Sequence, residues 1–173
     1  AASLSTRAQK DGDEWVINGE KMWITSGDQA GVIVVWARTS DDGAKGISCF
    51  LVEGNAAGLS AGKPEEKMGL RASHTVALNL ENVRVSDGQR LGSLGEGFKI
   101  AMVALDGGRI GIAAQSCGIA AAALSESVGY AQERQQFKKS LASFQAIQFK
   151  LADMATHLEA AWALVLQAAW LKE

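Results

Sequence analysis

The chain has 173 residues, 47% of them hydrophobic, with 17 basic side chains against 19 acidic ones and a net charge of −2. That length holds one large domain or two small ones with ample core, and the composition is that of an ordinary globular protein. Lys and Arg number 10 against 12 acids in residues 1–92 and 7 against 7 in residues 93–173, so neither half offers a nucleic-acid groove.

The chain opens on Ala1-Ala2-Ser3-Leu4, with neither an initiator Met nor a signal peptide, and reads as a core piece of something longer. Up to about Gly92, short strand-like runs alternate with turn residues: Asp11-Gly12, Asn18-Gly19, Asp41-Asp42-Gly43, Gly54-Asn55 and Asp87-Gly88. Asn18-Gly19 is the strongest hairpin signal, because a type I′ turn needs positive φ at both positions. A two-residue turn there pairs Ile17 with Glu20, Val16 with Lys21 and Trp15 with Met22. One face then carries Trp15, Ile17, Met22 and Ile24 toward a core; the other carries Glu14, Val16, Lys21, Trp23 and Thr25. An indole and a hydroxyl two residues apart on the polar face suit a flat aromatic ligand with hydrogen-bonding edges. The competing reading is that another element covers Trp23, since sheets are often buried on both faces. Residues 32–37, 47–52 and 75–80 fit further strands, with a short one over 83–85. This spacing predicts an antiparallel sheet pair or barrel, not a βαβ sheet.

After Gly92 the chain turns Ala-rich and helical. A first helix over about 97–132 is apolar on much of its surface, as Ile100-Ala101-Met102-Val103-Ala104-Leu105 shows, and expects neighbours on most sides. Asp106-Gly107-Gly108-Arg109 sits inside it. Two glycines cost about 1 kcal/mol each relative to Ala, which points to close backbone approach. Asp106 and Arg109 share a face and either bind a polar chain or form an exposed ion pair. Arg134 ends this helix, where an arginine often does no more than complement the dipole.

In the last helix Phe144, Ile147, Leu151, Met154, Leu158, Ala161, Val165 and Ala168 recur at steps of three and four. That heptad stripe predicts shallow left-handed packing against other long helices. Two helices cannot bury both surfaces, so oligomeric contacts over the apolar faces are expected. The stretch 160–171 contains Gln167 and falls short of the roughly 20 residues of a membrane span. Cys49 and Cys117 read as reduced core thiols in a reducing compartment. His74 and His157 have no partner carboxylate or nucleophile nearby in sequence. No dinucleotide fingerprint, P-loop, serine elbow or metal-ligand spacing occurs.

Several segments together resemble the acyl-CoA dehydrogenase family. They are Val16-Ile17-Asn18-Gly19-Glu20-Lys21-Met22-Trp23-Ile24-Thr25-Ser26, Lys67-Met68-Gly69-Leu70-Arg71-Ala72-Ser73-His74-Thr75, Gly95-Glu96-Gly97-Phe98 and Leu105-Asp106-Gly107-Gly108-Arg109-Ile110. Glu133-Arg134-Gln135-Gln136-Phe137 and Phe144-Gln145-Ala146-Ile147-Gln148 continue the likeness, in order and over essentially the whole chain. It is closest to short-chain and branched-chain members, and it favours a ligand-facing Trp23.

The resemblance implies an α+β chain: a β middle domain over 1–92, then over 93–173 the first long antiparallel helices of an incomplete four-helix bundle. It implies an FAD enzyme oxidising an acyl-CoA thioester at the α,β carbons to the 2-enoyl-CoA, a carboxylate base taking the α proton. By analogy Trp23, Ile24 and Thr25 contact the isoalloxazine, and Arg134 and Gln145 reach the flavin of a neighbouring subunit. Asp106, Gly107, Gly108 and Arg109 match the acyl-CoA-binding segment. A homodimer or homotetramer is implied, with an electron-transfer flavoprotein-like acceptor, in the cytoplasm or a mitochondrial matrix.

There are departures from the family pattern. The upstream Gly-Ser-Asp motif and N-terminal helical domain are absent, and the glutamate base is expected beyond Glu173. Lys138 stands where the family usually has glycine. Two other readings share the architecture: a non-catalytic flavin- or acyl-CoA-binding module, and a flavin monooxygenase or nitroalkane-oxidising relative.

Overall fold

In the computed structural model, which describes residues 3–172, the first turn falls at Gly12-Asp13 and not at Asn18-Gly19. Strands β1 (Arg7–Asp11) and β2 (Glu14–Thr25) pair antiparallel, with Asp11 opposite Glu14. Gly12 supplies the positive φ, 61°, that so short a connection needs. Asn18 and Gly19 lie inside β2, so the expected pairs of Ile17 with Glu20, Val16 with Lys21 and Trp15 with Met22 do not form.

The same two residue types serve other ends here. Asn18 grips Asn82 on a neighbouring strand: its Oδ1 accepts the Asn82 backbone N–H at 2.7 Å and its Nδ2 donates to Asn82 Oδ1 at 3.2 Å. Gly19, at φ 140°, passes so close to Thr6 that a Cβ would stand 2.8 Å from the Thr6 Cα.

Strands β3 (Val32–Arg38), β4 (Ile47–Glu53), β5 (Leu59–Ala61), β6 (Thr75–Ser86) and β7 (Arg90–Leu91) complete a seven-stranded sheet. Its order is β5-β6-β2-β1-β3-β4-β7. The short strand expected over 83–85 is the continuation of β6. All pairings are antiparallel but one, a single parallel contact of Arg7 with Arg38 that joins two halves. The sheet is open at β5 and β7, so it is not a closed barrel.

The two halves share one core. Trp15, Ile17, Leu78, Leu80 and Val83 come from one half, and Ile33, Val35, Phe50 and Val52 from the other. Trp15 and Phe50 meet with ring centroids 5.5 Å apart. Burying each such side chain contributes about 1.5–3 kcal/mol. At the rim, Asp87 accepts the Trp15 indole N–H at 2.7 Å and further bonds from Arg90 and Lys10. These donors, the indole foremost, hold its carboxyl well below the usual carboxylate range.

Helix α1 (Gly97–Glu133) runs without a break through both glycines at 107 and 108. A small hairpin, β8 (Gln135–Gln136) with β9 (Lys139–Ser140), leads to α2 (Gln145–Lys172). The chain divides into two units, Ala1–Val103 and Ala104–Glu173, so the first turns of α1 belong with the sheet. In the second unit α1 and α2 are antiparallel. A Cβ on Gly107 would lie 2.8 Å from the Lys172 ammonium, while Cys117 and Leu158 line a common gap of about 460 Å³.

Of the predicted stripe, Phe144, Ile147, Leu151, Leu158 and Val165 are half-buried, whereas Met154, Ala161 and Ala168 are exposed. Among the described residues of this unit only Cys117 and Ala131 are buried. Both cysteines are free thiols, and burial pushes Cys49 up to about 11. Among the described residues no helix is long and apolar enough to cross a membrane, and no cluster of metal-ligating side chains occurs.

Gly19→Ala sets a methyl against the Thr6 backbone at a φ that L-residues rarely adopt. It should lower stability by about 2 kcal/mol or more in urea unfolding. Gly31→Ala, into open space, should stay within about 0.5 kcal/mol. Equal midpoints for the two variants would show that the approach of Thr6 to Gly19 relaxes freely.

Candidate functional site

Lys21 pairs with Leu78 and Ile24 with Val76, so β2 sets two residues, Met22 and Trp23, against one on β6. This is a β-bulge, a device that re-aims side chains. Trp23 takes φ 61°, a left-handed conformation that bulky residues seldom adopt. The extra residue shifts the alternation: Ile24 returns to the core, while Met22 and Trp23 are 49% and 66% exposed.

Because β2 continues through Asn18-Gly19 without turning, the expected face assignment is corrected at two positions. Met22 is not a core residue, and Lys21 lies on the same face as Leu78. The Lys21 ammonium donates to the Trp36 carbonyl at 2.6 Å, and burial holds its pKa below the usual lysine value.

Thr25 closes the strand opposite Thr75 and is exposed. Among the described residues neither the Trp23 indole N–H nor the Thr25 hydroxyl has a hydrogen-bond partner. The chain then turns at Ser26, φ 56°, whose N–H donates to the His74 carbonyl at 2.9 Å. His74 does have a carboxylate partner: its Nδ1 lies 2.6 Å from Asp28 Oδ2 and 3.3 Å from the Gln29 amide. The bond to His74 keeps the Asp28 carboxyl below its ordinary range. The two residues stand 46 positions apart, beyond any local sequence pattern. This end of β2 thus offers a flat indole and a free hydroxyl on a braced strand. It can cover a planar ring and meet a polar ring edge.

The helical unit holds the other candidates. Asp106 Oδ1 and Arg109 Nη1 are 3.9 Å apart, both exposed, a loose pair worth about 0.2–0.5 kcal/mol. The close backbone approach expected at the glycines is not made by the described residues: nothing lies within 4 Å of a Cβ on Gly108, and Gly107 meets only the tip of Lys172. Arg134 N–H closes α1 on the Tyr130 carbonyl at 2.8 Å, and its own carbonyl accepts the Leu141 N–H at 2.8 Å. The Arg134 guanidinium and the Gln145 amide, at the first residue of α2, are exposed and unpartnered among the described residues.

Between them Phe137 and Lys138 have φ of 51° and 64°, the double left-handed pattern of a type I′ turn. Lysine at 138 therefore keeps a geometry that glycine would adopt without strain. Trp23, Ile24 and Thr25 come together in the first unit, and Arg134 and Gln145 flank one hairpin in the second. Lys21 and the Asp28–His74 pair were missed from sequence, since each bonds a residue distant in the chain.

Two family models cover the chain almost end to end: the acyl-CoA dehydrogenase middle domain over residues 1–83 and the C-terminal domain over residues 95–173. The mitochondrial short-chain specific acyl-CoA dehydrogenase of Bos taurus is 51% identical over 174 residues, which are 100% of this chain and 42% of that protein. Butyryl-CoA dehydrogenase from Megasphaera elsdenii superposes at a TM-score of 0.95 with 46% identity, covering 99% of this chain and 45% of that one. A chain solved in work on the electron transferring flavoprotein of Acidaminococcus fermentans gives TM-score 0.95 and 49% identity, with 99% and 45% covered.

The chain belongs to the acyl-CoA dehydrogenase family. It spans less than half the length of the curated relatives it matches.

Lys138→Gly should raise stability by about 1 kcal/mol, because it relieves a left-handed side chain at the turn. Thermal unfolding of both proteins checks this, and an unchanged or lower midpoint would show that Lys138 makes a compensating contact.

Proposed function

We propose that this chain is the flavin- and acyl-CoA-binding core of an FAD-dependent dehydrogenase that oxidises an acyl-CoA thioester at its α,β carbons. The observation that carries this reading is the Met22-Trp23 bulge, which leaves an indole two-thirds exposed beside an unpartnered threonine hydroxyl. Its residues fit a flavin. Trp23 covers a face of the ring system, Thr25 offers a hydroxyl to its polar edge, and Ile24 anchors both through the core. When bound, FAD supplies the two-electron acceptor for the β hydride.

The remaining work of this chain is binding and orientation. Asp106 and Arg109 offer a carboxylate and a guanidinium to the polar chain of the thioester. Gly107 and Gly108 leave the helix backbone bare enough for that chain to lie against it. Arg134 and Gln145 serve a flavin in a second copy, where the planar guanidinium fork matches a pyrophosphate. A homodimer or homotetramer then completes the cofactor site and covers the apolar faces of α1 and α2.

The base that removes the α proton is a glutamate outside residues 1–173. An electron-transfer flavoprotein-like protein takes the electrons, in the cytoplasm or, in a eukaryote, the mitochondrial matrix. Similarity to a chain from work on an electron transferring flavoprotein supports that partner.

In the full-length enzyme Trp23→Ala should weaken FAD binding roughly two- to twelvefold, the equivalent of about 0.5–1.5 kcal/mol for an aromatic contact beyond its buried area. Flavin affinity by fluorescence titration decides it, and an unchanged constant removes Trp23 from the site.

Arg134→Ala should lower FAD content and loosen the dimer, so that flavin is lost at higher protein concentrations than in the wild type, because a flavin held across the interface also holds the subunits together. Flavin content across a dilution series checks this. Identical curves for variant and wild type would return Arg134 to a solvated helix end.

A further inference from the structure

Strands β1 and β3 touch at a single point. Arg7 sits beside Arg38, and the Arg38 N–H donates to the Thr6 carbonyl at 2.8 Å. Backbone groups two residues apart on a strand point to the same side. The Trp36 carbonyl therefore also points toward β1, at a level where β1 pairs with β3 no longer. The Lys21 ammonium fills that place at 2.6 Å, reaching it from the core face of β2 beside Leu78. Burial lowers the pKa of Lys21, in keeping with an ammonium drawn out of water.

The receiving end is itself immobile. The Trp36 indole donates to the Gly97 carbonyl at 2.8 Å, and Gly97 lies so close to β4 that a Cβ would stand 2.6 Å from the Ser48 carbonyl carbon. Lys21 is also the last residue in register before the bulge, and Ile24 is the first after it. A bulge keeps its position only if the register on both flanks is held. Ile24 holds one flank by core packing, and Lys21 holds the other by this bond.

We propose that Lys21 is a positioning residue: its bond to the Trp36 carbonyl locks the Met22-Trp23 bulge and so sets how Trp23 meets the flavin. The inference rests on the reading of Trp23 as the flavin-covering residue, and its test separates the two. FAD release is followed by stopped flow in the full-length, flavin-loaded enzyme for Lys21→Met, Trp23→Ala and the double variant.

Lys21→Met should speed release about five- to tenfold in the presence of Trp23 and less than about twofold in its absence, since residues acting as one unit are non-additive. The visible flavin absorption should shift in Lys21→Met while the far-ultraviolet circular dichroism stays unchanged. Equal effects in both backgrounds would make Lys21 a structural strut and overturn the proposal. If Trp23→Ala alone leaves release unchanged, the flavin reading fails and this inference falls with it. Should Lys21→Met not fold, Lys21→Gln carries the same cycle, because it stays polar while its shorter side chain holds the amide back from the Trp36 carbonyl.

Discussion

Side chains on a strand alternate with a period of two, so one uncompensated extra residue in the ladder between β2 and β6 would turn half of the core outward. This ladder carries two. Between Ile17 and Gly19 the extra residue lies on β6, at Glu81-Asn82, and between Lys21 and Ile24 it lies on β2, at Met22-Trp23. The second restores the offset that the first shifts, so both ends of β2 face β6 in the same register. Val76, Leu78, Leu80, Val83 and Val85 therefore all reach the core from a single strand. The cost is local, a left-handed Asn82 and a left-handed Trp23. The first is secured by Asn18, and the second is left facing solvent with its indole free.

The sheet meets a second constraint where its halves part. A backbone carbonyl without a strand partner must find another donor or remain costly. At Trp36 that donor is Lys21, and at Glu20 the carbonyl accepts the hydroxyl of the buried Thr6 at 3.1 Å. Polar side chains thus close the seam that the ladder leaves open. The segment before the candidate site is consequently braced on several sides, while Trp23 and Thr25 stay uncommitted. Rigid support beneath uncommitted groups is the arrangement a binding surface requires.

The helical unit follows a different balance. Its two helices carry apolar residues around much of their circumference, and few of these are covered by the described residues. Exposed apolar area on that scale is of the kind that protein–protein contacts cover. The proposed neighbouring subunit would cover such area, and the same contact would bring Arg134 and Gln145 to a second flavin. Cofactor binding and assembly would then be one equilibrium.

Much of this was legible along the chain. Periodicity located β3, β4 and α1 to within a residue or two, and the heptad stripe marked most of α2, because hydrophobic period is a local property of the chain. The segments around Trp23, Asp106 and Arg134 carried enough specific residues to place the chain in its family. What the sequence could not decide was which use its ambiguous residues would serve. Asn18-Gly19 fits a turn or the neighbourhood of a bulge, and only the approach of Asn82 and Thr6 selects the latter. The turn expected at Asn18-Gly19 reversed the parity of Met22 and Lys21; β2 runs straight through those residues, and only its pairing with β6 shows the later bulge that returns Ile24 to the core. The bonds of Asp28 to His74 and of Lys21 to Trp36 likewise join residues distant in the chain. Local pattern determined which elements form and what chemistry they carry; packing between elements decided which side chains are spent on the fold and which are left free to bind.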